Sequence, residues 1–124
     1  ALIAALPQAP TRLINVGGTN DMTLGTAPAT VGAAYQAMLT TQRGLLPSCK
    51  IYAQGILPRV GYTSQRLLYN AEIEAAVTAL AEANIAYLNT DGVIDPTAGV
   101  DTREGLHPNA SGYAKIEAWR VPLL

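Results

Sequence analysis

Residues 12–21 have the sequence Arg-Leu-Ile-Asn-Val-Gly-Gly-Thr-Asn-Asp, and this stretch decides the fold class. The apolar run 12–16 ends abruptly at two glycines, which is typical of a buried strand that enters a functional turn. Thr19, Asn20 and Asp21 follow, and polar side chains of these types commonly hydrogen-bond nearby backbone in turns. The stretch therefore predicts a β-strand with polar groups at its carboxyl end.

Outward from this stretch, helical and strand patterns alternate along the chain. Thr30 is a candidate N-cap for the first helix and Gly44 its candidate stop, while Pro108 suits the first position of the last helix. A polar loop is expected from Asp91 to Glu104. The predicted strands are 12–16, 49–57 and 84–89, and the predicted helices are 30–42, 64–83 and a last one from Pro108 until Pro122.

The helix over 64–83 has the strongest pattern, with one apolar stripe opposite three glutamates. Strands that alternate with helices predict an α/β fold, in which a parallel sheet carries helices on both faces in three layers. Polar groups that do chemistry collect beyond the carboxyl ends of such strands. The predicted stripe consists of Leu67, Leu68, Ala71, Ile73, Ala76, Val77, Leu80 and Ala81.

The composition excludes several classes of function. The 124 residues, 49% of them apolar, suffice for one domain or a piece of one. Eight basic and nine acidic residues without a Lys/Arg cluster give no support for nucleic-acid binding. No apolar run approaches the roughly 20 residues that a membrane span needs. Cys49 is the only cysteine, and a buried, inert thiol is expected.

Three polar side chains are candidates for catalysis. His107 is the only histidine, and a neutral imidazole between a polar loop and a helix can take and return a proton near pH 7. Glu104 lies three residues earlier, where its carboxylate either holds one ring nitrogen or is simply an acid near a helix N-terminus. The Asn20 amide either belongs to an ordinary turn or donates to an oxygen that becomes negative during acyl transfer.

Two motifs resemble the SGNH/GDSL-type serine esterases. Residues 104–113, Glu-Gly-Leu-His-Pro-Asn-Ala-Ser-Gly-Tyr, resemble the family's final block, Asp-x-x-His-Pro-Asn-x-x-Gly-Tyr, and residues 18–21 resemble its Gly-x-Asn-Asp block. Ile56-Leu57-Pro58-Arg59 and Asn70 agree more weakly with further family features. The resemblance covers nearly the whole chain and implies the flavodoxin-like SGNH-hydrolase fold.

The resemblance also implies roles for individual residues. Asn20 would be an oxyanion-hole donor within a motif that includes Gly18 as an oxyanion or substrate-binding position, and Asp21 would support the motif's loop. His107 would be the general base and acid. The resemblance implies that no metal and no organic cofactor is required. It also favours a secreted or surface-associated location, which is common in the family.

The acid that partners the histidine is a departure from the family pattern. The family usually has Asp three residues before the histidine, whereas this chain has Glu104, whose side chain is one methylene longer. Asp101 in the same loop is the alternative acid. We favour Glu104 for the role.

The serine nucleophile is missing from the sequence. Ser48, Ser64 and Ser111 are the only serines; Ser64 resembles a helix cap, and none follows a strand in a Gly-Asp-Ser-like turn. The family's block with the oxyanion glycine is absent as well. We therefore expect 1–124 to be the C-terminal part of a single SGNH-like domain, whose upstream part, with the first strands, is cleaved off or on a separate chain.

Two hypotheses about function follow from the motifs. The first is a carboxylic-ester hydrolase of the serine type, which needs the upstream part and acts on small esters, either short-chain acyl esters or acetylated carbohydrates. The second is a non-catalytic binding or structural module that keeps the fold without a nucleophile. The presence of both Asn20 and His107 favours the esterase.

Overall fold

A computed structural model of the chain describes residues 8–124, which form a parallel three-stranded sheet with helices. The predicted α/β fold with a parallel sheet is thus confirmed. Residues 1–7, which the predicted domain includes, lie outside the described part. In chain order the elements are β1 (Arg12–Val16), α1 (Thr19–Leu24), α2 (Pro28–Leu45), β2 (Lys50–Gln54), α3 (Thr63–Leu80), β3 (Ile85–Leu88), α4 (Ala110–Arg120) and a 3-10 turn (Val121–Leu123).

Helices α2 and α3 cover one face of the sheet. The strands are ordered β1-β2-β3, so both crossovers run in the same direction and bring the two helices side by side. Leu39 of α2, Ile51 of β2 and Ile73 of α3 have no exposed surface and form the centre of this core. Burial of such aliphatic side chains is the main favourable term in the folding of the domain.

The second face of the sheet is covered only in part. Side chains alternate along a strand, so Tyr52 and Leu88 are buried on the side away from the α2 and α3 core. The Tyr52 hydroxyl donates to the Leu124 carbonyl at 3.5 Å, which places the chain segment after α4 against this face. Val16 of β1 points to the same face and remains 63% exposed. Within residues 8–124 the sheet is therefore covered near β2 and β3 and open near β1.

Helix α2 begins and ends elsewhere than the sequence predicts. It starts at Pro28, whose fixed φ and missing N–H suit the first helical position, and Ala27 is the N-cap. Thr30 is therefore inside the helix, and its prediction as the N-cap is wrong. Gly44 does not stop the helix, which continues to Leu45.

The buried face of α3 differs from the predicted stripe. Leu67 and Leu68 are 48% and 60% exposed, so the prediction that they belong to the core is wrong. Tyr62 rather than Ser64 occupies the N-cap position. Two polar residues on this face, Arg66 and Asn70, bind Ile56 in the segment after β2. The buried residues of α3 are Arg66, Tyr69, Asn70, Ile73 and Ala76.

Helix α4 starts later than the proline that was predicted to open it. The N-cap is Asn109, whose side-chain oxygen accepts from the Gly112 N–H at 3.0 Å, and Pro108 therefore precedes the cap. None of the helices in the described part of the chain combines the length and hydrophobicity of a bilayer span.

Candidate active site

A cleft of about 400 Å³ lies at the carboxyl ends of β1 and β2, as expected for a parallel sheet. It brings together the two motifs, because Asn20 and His107 both line it although they are far apart in the sequence. The segment after β2 forms a third wall. The cleft is lined by Val16, Gly17, Gly18, Thr19, Asn20, Asp21, Ile56, Leu57, Arg59, Leu106, His107 and Pro108.

The first motif begins at a glycine that no other residue can replace without strain. Gly18 has a φ of 96°, and an added Cβ would lie 3.0 Å from Ile56 Cδ1. The chain then forms the six-residue helix α1 in place of the predicted turn, and the Met22 N–H donates to the Gly18 carbonyl at 2.9 Å. Asn20 is exposed, and no group within residues 8–124 hydrogen-bonds its amide, which is therefore available to a substrate.

Asp21 supports the turn that follows α1. Its backbone carbonyl accepts from the Thr26 N–H at 3.0 Å. Its side chain lines the cleft and also a second, mainly apolar cavity of about 310 Å³ beside α2. In that cavity burial raises the pKa of the Tyr35 phenol, and the negative charge of Asp21 adds to the effect.

His107 and Glu104 are in direct contact. Glu104 Oε1 contacts His107 Nδ1 and also accepts from the His107 backbone N–H at 3.1 Å. The hydrogen bond from His107 lowers the pKa of the Glu104 carboxyl below its ordinary value, so the carboxylate is charged at neutral pH. A neutral imidazole that donates through Nδ1 has Nε2 left as a proton acceptor. Both side chains are more than half exposed.

Asp101, the alternative acid, is engaged elsewhere. Its carboxylate is fully buried and accepts from Lys115 Nζ at 2.7 Å, Ser111 Oγ at 2.8 Å and the Asp95 N–H at 2.8 Å. The hydrogen bond from Lys115 is the main reason that the pKa of Asp101 falls to about 2. The structure thus brings Glu104 to the His107 ring, whereas Asp101 fastens the loop to α4.

The loop that carries Glu104 and His107 is held by further hydrogen bonds. The fully buried Thr102 accepts from the Gly105 N–H at 2.9 Å through its hydroxyl, and the Arg103 N–H donates to the His107 carbonyl at 2.8 Å. The Asn109 amide donates to the Val100 carbonyl at 3.0 Å. These bonds fix the loop independently of whatever fills the cleft.

Buried polar groups hold the cleft wall after β2 at a single residue, Ile56. The Ile56 N–H donates to Asn70 Oδ1 at 2.7 Å, and the Ile56 carbonyl accepts from Thr90 Oγ1 at 2.7 Å. That carbonyl also accepts from Asn70 Nδ2 at 3.1 Å and from Arg66 Nη1 at 3.3 Å. Arg66 is in turn paired with Asp91 at 2.7 Å. We name Arg66, Asn70 and Thr90 the Ile56 clamp.

The comparisons with known proteins identify the family. The profile described as the GDSL-like lipase/acylhydrolase family matches residues 1–115. The chain belongs to this family. A search of curated proteins found no significant match.

Solved structures resemble this GDSL-like chain over most of its length. A Streptococcus pneumoniae protein described as a candidate platelet activating factor has a TM-score of 0.81 at 16% identity, over 94% of this chain and 60% of its own. A carbohydrate esterase family 3 protein from Talaromyces cellulolyticus has a TM-score of 0.71 at 25% identity, over 92% and 56%. An acetyl esterase serine-to-alanine mutant with an acetate ion has a TM-score of 0.70 at 25% identity, over 92% and 56%. This GDSL-like chain thus spans about 60% of the first structure and 56% of the other two.

Part of the site of this GDSL-like chain is not visible in its motifs. The motifs do not include Arg66 or Thr90, and Asn70 and Arg59 belong only to the weaker similarities to the family. Arg66 and Asn70 are four residues apart and therefore lie on the same face of α3, which is buried. This polar pair is the pattern in the sequence that could have predicted their role. Among residues 8–124, no group of three or more His, Cys, Asp or Glu side chains is arranged to hold a metal ion.

Proposed function

We propose that this chain supplies the histidine and the oxyanion asparagine of a serine ester hydrolase. The supporting observation is the cleft at the carboxyl ends of the strands, which Asn20 and His107 both line while Glu104 contacts His107 Nδ1. A base oriented by a carboxylate and a free amide donor in the same cleft are what acyl transfer by a serine requires.

The reaction begins when a serine hydroxyl attacks the ester carbonyl. His107 Nε2 takes the hydroxyl proton, and the adjacent Glu104 carboxylate stabilises the imidazolium. The carbonyl oxygen becomes negative, and the Asn20 amide donates to it; a preorganised donor of this kind is worth about 3 kcal/mol in the transition state. His107 then protonates the leaving alcohol, and a water molecule repeats the sequence to release the acid.

The nucleophile is proposed to come from a further segment of the same domain. Ser111 Oγ is bonded to Asp101, and Ser48 precedes β2 at the other end of the sheet, so neither is placed for attack. The chain spans 56–60% of the structures that it resembles. Val16, which lines the apolar cavity beside α2, is 63% exposed, and Leu24 at the end of α1 is 82% exposed, which supports the packing of such a segment against this part of the surface.

The proposed substrates are esters with a short acyl group, acetylated carbohydrates among them. The cleft volume of about 400 Å³ suits a small ligand, and Ile56, Leu57 and Leu106 give it an apolar part for an acyl chain. Two of the similar structures, each 25% identical, are described as a carbohydrate esterase and an acetyl esterase.

Hydrolysis of p-nitrophenyl acetate and labelling by a fluorophosphonate test this function. The chain together with its nucleophile-bearing segment should hydrolyse the ester, and the labelled serine should lie on that segment. His107→Ala should lower kcat by about 1,000-fold and Asn20→Ala by about 100-fold. Ser48→Ala is the matched control, and it should leave kcat unchanged.

Two outcomes would contradict the proposal. The first is full activity in His107→Ala, which would remove the general base from the mechanism. The second is a folded assembly with the segment present that neither hydrolyses esters nor reacts with the fluorophosphonate, which would favour the non-catalytic module.

A further inference from the structure

Arg59 differs from the other cationic side chains of the molecule. It is half-buried in the wall of the cleft, and within residues 8–124 no carboxylate lies within 4 Å of its guanidinium. Arg43, Arg66, Lys115 and Arg120 are each paired with a carboxylate, and the unpaired Arg12, Lys50 and Arg103 are exposed. A half-buried cation without an anion is costly unless a ligand supplies one.

The guanidinium of Arg59 is held between the two motifs. Its Nη1 donates to Thr23 Oγ1 on α1 at 2.5 Å, and its Cζ lies 4.1 Å from the centroid of the Tyr62 ring. The next residue, Val60, donates its N–H to the carbonyl of Gly105 at 3.1 Å. Gly105 lies in the loop that carries Glu104 and His107, which we name the His107 loop. A guanidinium has five N–H donors, so most of them remain for a substrate.

Asp21 is the acidic side chain in the cleft wall, and it does not neutralise Arg59. It is more than 4 Å from the guanidinium, and it also lines the apolar cavity beside α2. The positive charge of Arg59 therefore faces the cleft without a local partner.

We propose that Arg59 binds a carboxylate of the substrate, so that the preferred ester carries an anionic group near its reacting carbonyl. The inference rests on the proposed esterase function and names its substrate class. A planar guanidinium pairs with a carboxylate through two parallel hydrogen bonds, which fix orientation as well as charge. A substrate bound in this way is oriented toward Asn20 and His107 in the same cleft.

Matched substrates test the proposal in the chain together with its nucleophile-bearing segment. The values of kcat/KM for 4-acetoxybenzoate and for neutral phenyl acetate are compared in the native protein and in Arg59→Gln. The substitution should lower kcat/KM for the anionic ester about tenfold and leave that for phenyl acetate within about twofold, since one charge-assisted pair is lost. For the anionic ester, kcat/KM of Arg59→Lys should lie between those of the native protein and of Arg59→Gln, because lysine keeps the charge but cannot form two parallel hydrogen bonds.

Thr23→Val is the matched control, because it removes the bond from Arg59 Nη1 and keeps the guanidinium. It should preserve most of the preference for the anionic ester. If Arg59→Gln and Thr23→Val instead lower kcat/KM equally for both esters, Arg59 only fastens α1 to the segment after β2, and the proposal is wrong. Unchanged kinetics in Arg59→Gln would overturn it as well.

A binding measurement separates this proposal from the esterase function. The amides 4-acetamidobenzoate and acetanilide are not readily hydrolysed, and their binding is followed by chemical-shift titration of the native protein and of Arg59→Gln. Tighter binding of the anionic amide, lost in the variant, supports the role of Arg59 even in a protein without hydrolytic activity. Equal binding of the two amides by the native protein contradicts it, whether or not the variant folds.

Discussion

The two regions that carry the motifs are stabilised in different ways. The His107 loop is stabilised by Asp101 and Thr102, which are both fully buried and hydrogen-bonded. Asn20 follows the edge strand β1, near Val16 and Leu24, which are largely exposed. One half of the site is thus part of a closed network of hydrogen bonds, whereas the other half adjoins uncovered apolar surface.

This difference indicates that the region around Asn20, rather than the His107 loop, depends on contacts with a segment outside residues 8–124. Exposed apolar side chains next to a cavity mark a surface that packs against another segment. We therefore expect substitutions in the His107 loop to change the stability of the chain itself. Substitutions around Asn20 should change the stability less, and should also act on catalysis in the proposed assembly with the nucleophile-bearing segment.

The largest effect is expected from Gly112→Ala. A Cβ at this position would lie 2.1 Å from the Asp101 carbonyl oxygen, a backbone atom that cannot move without shifting the loop against α4. The free energy of unfolding, measured by urea denaturation, should fall by about 3 kcal/mol. Gly44→Ala is the matched control, because it is also a helical glycine but its Cβ would meet nothing within 4 Å, and it should stabilise α2 by about 0.5–1 kcal/mol. Equal effects of the two substitutions would contradict the close contact.

A smaller effect, confined to a window of pH, is expected from Asp101→Asn. The folded-state pKa of Asp101 is about 2, below its ordinary 3.8, so the unfolded chain binds more protons between these values. The stability that Asp101 provides is therefore complete above about pH 4 and is lost as the pH falls to about 2. Thermal melts should show native protein and variant differing most above pH 4 and converging toward pH 2. A difference independent of pH would remove the ionised Asp101 as its source.

Gly18→Ala should cost less than Gly112→Ala. The left-handed φ of 96° strains any side chain, but the added Cβ would meet the tip of the Ile56 side chain, which can move. The expected loss is about 1–2 kcal/mol in unfolding free energy. In the assembly with the nucleophile-bearing segment, kcat should fall as well, because Gly18 sets the direction of the chain toward Asn20. A loss of stability as large as that of Gly112→Ala would show that Ile56 cannot give way.

The smallest effect is expected at Thr30, whose prediction as an N-cap the structure contradicts. Thr30→Ala should change the unfolding free energy by less than about 0.5 kcal/mol. Asn109→Ala on the His107 side should cost about 1 kcal/mol, because Asn109 caps α4 through the Gly112 N–H. Thermal denaturation of the two variants compares them directly, and a larger loss for Thr30→Ala would restore its role as a cap.

The sequence was sufficient for the order of the three strands and of the helices α2, α3 and α4, and for the strand from Arg12 to Val16, but not for the short helix α1. An apolar run ended by glycines is a local signal, and alternation of strands and helices limits the topology to a parallel sheet. Helix boundaries were less predictable, since Pro28 starts α2 through its fixed φ and needs no polar cap.

The site was predictable only where it follows a motif. Both Asn20 and His107 line the cleft, and Glu104 contacts the imidazole, in agreement with the spacing in the sequence. The Ile56 clamp was not predictable in full, because the hydropathy of α3 assigns its polar residues to the solvent side. Arg66 and Asn70 are buried because they bind the backbone of Ile56, which tertiary packing brings to them.

The clamp makes Ile56 a convenient position for redesign. Its N–H and carbonyl are bound by Asn70, Thr90 and Arg66, whereas its side chain contributes to the cleft wall next to Gly18. The path of the backbone is thus set without the side chain at position 56. A library of aliphatic residues there would vary the width of the proposed acyl pocket along a constant backbone path, so that altered chain-length preference could be engineered at a single codon.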